Sequence, residues 1–255
     1  MSRIDFIVTG WRRSGTTLFT TLLNDHPAVH CDNESFNYFF CASAHFDFLS
    51  TGVPVVPPES GATRLGIKTL EPFLVPSWKF PRIYRLARRR GAVASFPDER
   101  LYSDWVRRFS DSLVAARPLV LNVVRHALYV YVSEQIALQR REFRFRSAFD
   151  RRFALVFDID HFSRWMESKR EVEARVAYLK PPERTIQVNY DDLADADRRQ
   201  TAMDEVFGRL GVEPRPVRPG TRKQLPASLA DYVANYGEML SMVRASDHSQ
   251  LAESL

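Results

Sequence analysis

The sequence predicts an α/β fold: a parallel sheet of the phosphate-loop type, flanked by helices and carrying a helical insertion. Three observations lead there. Short apolar runs at residues 4–9, 64–69, 118–124 and 184–188 alternate with segments whose apolar residues recur at helical spacing. The octapeptide Gly10-Trp11-Arg12-Arg13-Ser14-Gly15-Thr16-Thr17 falls between the first such run and the first helical segment. The chain has 255 residues, 45% hydrophobic and 26% charged, a composition able to bury a large core. Strands separated by helices require crossover connections, which are right-handed and cover both faces of a parallel sheet.

The elements follow in order. Residues 4–9 read as a buried strand that ends at Gly10. Leu18, Phe19, Leu22 and Leu23 mark a helix that stops before Pro27. A connection rich in Pro and Gly, through Gly52, Pro54, Pro57, Pro58 and Gly61, leads to a second strand at 64–69. The basic, aromatic stretch 72–116 reads as the helical insertion. Residues 118–124 (PLVLNVV) form the clearest central strand, and a helix follows over about 127–140. Residues 153–157 fit a strand or the start of a loop equally well. Phe162, Trp165, Met166, Val172, Val176 and Leu179 keep a helical period over 161–179. After the strand at 184–188, Met203, Val206, Phe207 and Leu210 mark a helix capped by Gly211. Neither a repeat nor a long linker interrupts the pattern, so residues 1–255 read as one domain.

The bulk numbers narrow the function classes. No apolar stretch approaches a membrane span, and the N-terminal run is too short for a signal peptide. Cys31 and Cys41 give neither metal spacing nor a disulfide framework. A reduced, cytoplasmic setting is the expectation. Net charge is +5, with arginines clustered at 85–90 and 140–152. Such runs serve an anionic partner or form solvated helix faces. No nucleic-acid motif accompanies them, so no nucleic-acid partner is expected, although an anionic-polymer binding module stays as an alternative.

The octapeptide has the spacing of a triphosphate loop, GxxxxGK[ST], with Thr16 in the lysine slot and the cation earlier, at Arg13. Gly10 and Gly15 permit positive φ, which turns successive N–H groups towards an anion at the helix start. A triphosphate site needs the lysine near the terminal phosphates and a metal held by the following hydroxyl. Its loss disfavours the kinase alternative, and no metal is expected. Arg125, at the tip of the strand 118–124, and Ser133, two helical turns along, are placed to reach a second phosphate above the carboxyl edge of the sheet.

Taken together, these segments resemble the sulfotransferases that use 3′-phosphoadenosine 5′-phosphosulfate (PAPS). GWRRSGTTLFTTLLNDHP is similar to the family's 5′-phosphosulfate loop, and RHALYVYVS to its 3′-phosphate element. VNYDDLADADRRQTAMDEVFGRLGV is similar to the family's Tyr-Glu-Asp-Leu strand end and following helix. The tail TRKQLPASLADYVANYGEM resembles bacterial carbohydrate sulfotransferases of the trehalose and Nod-factor type. Two departures stand out: His126 replaces the usual Asn or Asp, and Tyr190-Asp191-Asp192 replaces Tyr-Glu-Asp.

The resemblance implies roles. Arg13, with Arg12 and the N–H groups of Ser14, Gly15, Thr16 and Thr17, would hold the 5′-phosphosulfate, and Arg13 would also stabilise the leaving phosphate. Arg125 and Ser133 would hold the 3′-phosphate, and Arg222 and Lys223 would close over it. Glu34, in HPAVHCDNESF, stands at the position of the family's catalytic glutamate and is the candidate base; a helix-start carboxylate favoured by the dipole is the other reading. His30 and His126 are alternative bases or structural residues. Lys68 and Thr69 face the cleft or form an exposed strand end. Tyr190 ends a strand, near the nucleotide or in the core. Trp11, Trp78, Trp105 and Trp165 are core residues or a sugar-stacking surface. The expected partner is a hydroxyl-bearing small-molecule acceptor, a carbohydrate first and another natural product second. The family also implies a possible homodimer.

Overall fold

The computed structural model describes residues 4–32, 61–71, 104, 107, 110–111, 113–140, 153–219 and 228–255. Their core is a five-stranded, all-parallel sheet in the order β2-β3-β1-β4-β5. The strands are β1 (Phe6–Gly10), β2 (Val29–Asp32), β3 (Arg64–Lys68), β4 (Leu119–Val124) and β5 (Thr185–Asn189). The helices are α1 (Thr16–Asn24), α2 (Ala127–Arg140), α3 (Ile159–Val176), α4 (Tyr190–Ala194), α5 (Ala196–Leu210), α6 (Tyr236–Arg244) and α7 (Gln250–Glu253). The α/β class predicted from the sequence is the one observed.

Alternation along the strands decides which element covers which face. Phe6 and Val8 of β1, Leu121 and Val123 of β4, and Ile186 and Val188 of β5 pack against Phe19, Leu22 and Leu23 of α1 and against Met203, Val206, Phe207 and Leu210 of α5. Burying one such side chain contributes about 1.5–3 kcal/mol, so this layer fixes α1, and with it the loop before it. A second core joins Leu128, Tyr131 and Ile136 of α2 to Phe162 and Met166 of α3 and to Tyr232, Met239 and Val243 near the C-terminus.

Local chemistry sets the helix ends. The Asp158 carboxylate accepts from His161 N–H and caps α3, and Asp195 accepts from Asp197 and Arg198 N–H at the start of α5. Gly211 closes α5 at φ 67°, as the sequence predicts.

On four points the structure adds to, decides or changes the reading of the sequence. The first strand starts at Phe6 and includes Gly10. β2 went unpredicted; it has only four residues and sits at the sheet edge. Residues 153–157 do not form a strand, apart from the single bridge Leu155↔Val233. Tyr190 does not end a strand but opens α4, because the Asn189 side chain accepts from Asp191 N–H and caps a helix there. Most of the expected insertion at 72–116 lies outside the described residues, although 113–116 are helical.

The topology places the site. β2 and β3 lie on one side of β1, and β4 and β5 on the other. The chain therefore reverses its direction of winding between β1 and β4, and in open parallel sheets ligands bind outside the carboxyl ends of the strands at such a switch point. The loop after β1 and the residue after β4, Arg125, both emerge there.

Candidate anion-binding site

The loop is held open towards α1 by its glycines. Gly10 has φ 152° and Gly15 φ 101°. A Cβ at Gly15 would stand 2.1 Å from Tyr190 Cδ2, so the tyrosine ring occupies the space a side chain would need. Gly15 is also the residue before α1, and no side chain caps that helix and no acid stands in its first turn. The first-turn N–H groups keep their partial positive charge for an anion.

Arg13 adopts φ 68°, a left-handed conformation that costs a non-glycine residue about 1–3 kcal/mol. Among the described residues, one backbone bond spans this turn and two hydrogen bonds hold Arg13 itself. Ser14 N–H donates to Trp11 O at 3.1 Å, and Arg125 Nη1 donates to Arg13 O at 3.2 Å. Arg13 Nε donates to Ser133 Oγ at 3.0 Å. The residues predicted for two phosphates, Arg13 on one side and Arg125 with Ser133 on the other, thus meet directly.

Arg125 is packed between aromatic rings, its guanidinium carbon 4.2 Å from the centre of Tyr190 and 5.4 Å from that of Tyr129. Burial pulls its pKa below the usual arginine value, partly offset by Tyr190 and Asp191. Its Nε and the Ser14 hydroxyl are buried without a hydrogen-bond partner. Such orphans are costly in a finished core; at an anion site they are donors left for the ligand.

Arg12 is turned away from this group. Its Nη2 donates to Glu134 Oε1 at 2.6 Å, while Glu134 Oε2 accepts from Trp11 Nε1 at 3.1 Å and Trp165 Nε1 at 3.3 Å. Sequence reasoning passed over Glu134. The available signal was an acid inside the apolar helix YVYVSEQIA, a position that is costly to bury without partners. The two indoles, expected as core or as a sugar platform, are edge-on at 5.8 Å and serve as donors to that carboxylate.

Lys68 is not an exposed strand end. It is 0% exposed and its ammonium donates to Thr17 Oγ1, in the first turn of α1, at 2.9 Å. The absent loop lysine is therefore matched by a cation that β3 delivers to the same turn. Thr69 is buried, and its N–H continues the pairing to Val8 O.

The histidines divide. His30 is half-buried on β2. His126 Nε2 lies 3.0 Å from both Leu251 O and Ser254 Oγ, tying the end of β4 to the C-terminal segment. Its pKa is lowered, mainly by burial. Cys31 is buried, and desolvation raises its thiol pKa, so it is inert as a nucleophile.

Glu34, Arg222, Lys223, Cys41, Trp78, Trp105 and the basic stretch 79–90 lie outside the described residues. Among the described residues, no group of His, Cys, Asp or Glu is placed to hold a metal, and no helix is long and apolar enough to cross a membrane. No family model matches the chain, and no curated protein matches it significantly.

Proposed function

We propose that this protein is a sulfotransferase that moves a sulfuryl group from PAPS to an alcohol. One observation carries the reading: Arg13, Arg125 and Ser133 form a connected cluster at the carboxyl edge of the sheet, in contact through bonds of 3.0 and 3.2 Å. A nucleotide bearing anions at both its 5′ and 3′ positions needs two neighbouring anion sites, and on this reading the cluster would supply both. The loop N–H groups and Arg13 suit the 5′-phosphosulfate, and Arg125 and Ser133 suit the 3′-phosphate.

In the reaction, the acceptor oxygen attacks sulfur and loses its proton to a base, while the bond from sulfur to the bridging phosphate oxygen breaks. 3′-Phosphoadenosine 5′-phosphate (PAP) leaves with the electron pair. Arg13 and Lys68 are the cations closest in role to that developing charge. Glu34 is the base this reading assigns, from its sequence position.

The kinase alternative is disfavoured by Lys68. In a triphosphate loop the hydroxyl at Thr17 would ligate a divalent metal; here it already accepts a bond from an ammonium. The acceptor is a carbohydrate or glycosylated metabolite on the strength of the tail resemblance, with a non-carbohydrate natural product as the second choice. Residues 222 and 223 would close over the donor, and a homodimer belongs to the same reading.

Titration calorimetry with PAP tests the donor site. Binding in the micromolar range is expected, and a folded protein that gives no heat overturns the reading. Transfer of labelled sulfate to a panel of hydroxylated metabolites identifies the acceptor, and Glu34→Ala is expected to abolish that transfer while PAP still binds.

A further inference from the structure

Two adjacent residues of α2 grip three consecutive residues of the phosphate loop. Ser133 takes Arg13, and Glu134 takes Trp11 and Arg12. Successive residues on a helix point about 100° apart, so one turn of α2 engages the loop along its length. We propose that Glu134 is the positioning residue of this loop: its carboxylate clasps Trp11 and Arg12 so that Arg13 is the arginine presented to the anion. The identity of that anion rests on the sulfotransferase reading; the clasp does not.

The chemistry of Glu134 supports the assignment. It is 3% exposed, and a buried carboxylate is tolerated only when charge-paired and fully hydrogen-bonded. Both oxygens are used, Oε1 by the Arg12 guanidinium and Oε2 by two indole N–H groups. One indole, Trp165, belongs to α3 and packs against Tyr131 and Phe162 in the second core. The first half of the loop is thereby fastened to the second core.

Two consequences follow for recognition. With Trp11 and Arg12 fixed, the chain has to turn at Arg13, which is where the left-handed φ of 68° occurs. That turn sends the Arg13 side chain to Ser133. Meanwhile the positive charge of Arg12 is paired with the Glu134 carboxylate at 2.6 Å. Arg12 contributes to binding through Glu134 rather than by touching the anion.

A double-mutant cycle tests this, read by calorimetry with PAP on Glu134→Gln, Arg12→Gln and the double variant, each checked for folding by thermal melting. Each single change is expected to raise Kd about tenfold, and the double variant also about tenfold, because both remove the same clasp. Losses that multiply to about a hundredfold would mean that Arg12 binds the ligand itself, and they overturn the proposal. So does an affinity for Glu134→Gln within twofold of wild type. A Glu134 that merely stabilised the fold would lower the melting temperature without making the two losses overlap. If Glu134→Gln does not fold, Arg12→Gln reads the clasp from the loop side, and unchanged affinity there is equally fatal. If wild-type protein binds inorganic pyrophosphate but not PAP, the sulfotransferase reading fails and the same cycle is run with pyrophosphate. A wild type that binds neither overturns both.

Discussion

The guanidinium carbon of Arg125 lies 4.2 Å from the centre of the Tyr190 ring, and the same ring fills the space beside Gly15. One tyrosine at the start of α4 therefore links the tip of β4 to the loop after β1. The stacking orients a cation whose burial alone would be unfavourable. It also explains why the loop has no room for a side chain before α1.

Arg125→Ala removes a charged fork from the proposed second anion site, together with its hydrogen bond to Arg13 O in the loop. Charge-assisted hydrogen bonds contribute about 1.5–3 kcal/mol, or roughly 10- to 150-fold in affinity. PAP binding is expected to weaken within that range, while adenosine 5′-phosphosulfate, which lacks the 3′-phosphate, changes less than about threefold. Calorimetry on the two ligands checks it, and equal losses would refute the assignment of Arg125.

Gly15→Ala places a methyl group 2.1 Å from a tyrosine carbon at φ 101°, so the ring and the loop must both shift. The expected cost is about 2–4 kcal/mol, a fall in melting temperature of about 5–10 °C. Tyr190→Ala in that background should return part of the loss, since the clash and the ring disappear together. Fully additive melting temperatures would show that the ring is not the obstacle.

Lys68→Met replaces a buried ammonium with an apolar side chain of similar length. Buried charges add little net stability, so the melting temperature is expected to stay within about 3 °C or rise. Turnover should nevertheless fall at least a hundredfold, because the cation bonded to Thr17 is gone. A variant that unfolds, or one that turns over normally, contradicts the role given to Lys68.

His126 supplies a pH dependence. Burial is the main cause of its lowered pKa, with Arg125 adding to it and the Leu251 carbonyl and Asp191 opposing it. The unfolded chain then binds the proton more readily than the folded one, so acid favours unfolding. Stability is complete above the ordinary histidine pKa of about 6.5 and is lost as pH falls through the lower, folded value. Urea midpoints at pH 8 and pH 5 should differ less for His126→Asn than for wild type. An unchanged difference would place the acid sensitivity elsewhere.

Much of this site was legible in the linear pattern, for reasons specific to its residues. Gly10 and Gly15 bracket a turn whose backbone angles few other residues tolerate, so their spacing alone announced the loop. Arg125 follows the most continuous apolar run, and a residue at the carboxyl end of a buried strand has to emerge at the carboxyl edge of the sheet. Glu134 gave no comparable signal. Its partners lie 123, 122 and 31 residues away in the chain, and no local periodicity reports contacts over such separations. β2 was missed because four residues at a sheet edge carry too little apolar pattern to register.

By itself, then, the sequence determined the α/β class and the order of most elements, and it singled out Arg13, Arg125 and Ser133 as a candidate set that the fold brings together. Those are properties of local backbone preference and apolar spacing, which act between near neighbours in the chain. Only the tertiary structure decided that Arg12 pairs with Glu134 while Arg13 turns to Ser133, that Lys68 is buried and bonded to Thr17, and that Tyr190 starts a helix against Gly15. Each of these depends on side chains brought together by the packing of separate elements, where burial makes a charge costly until a distant partner meets it.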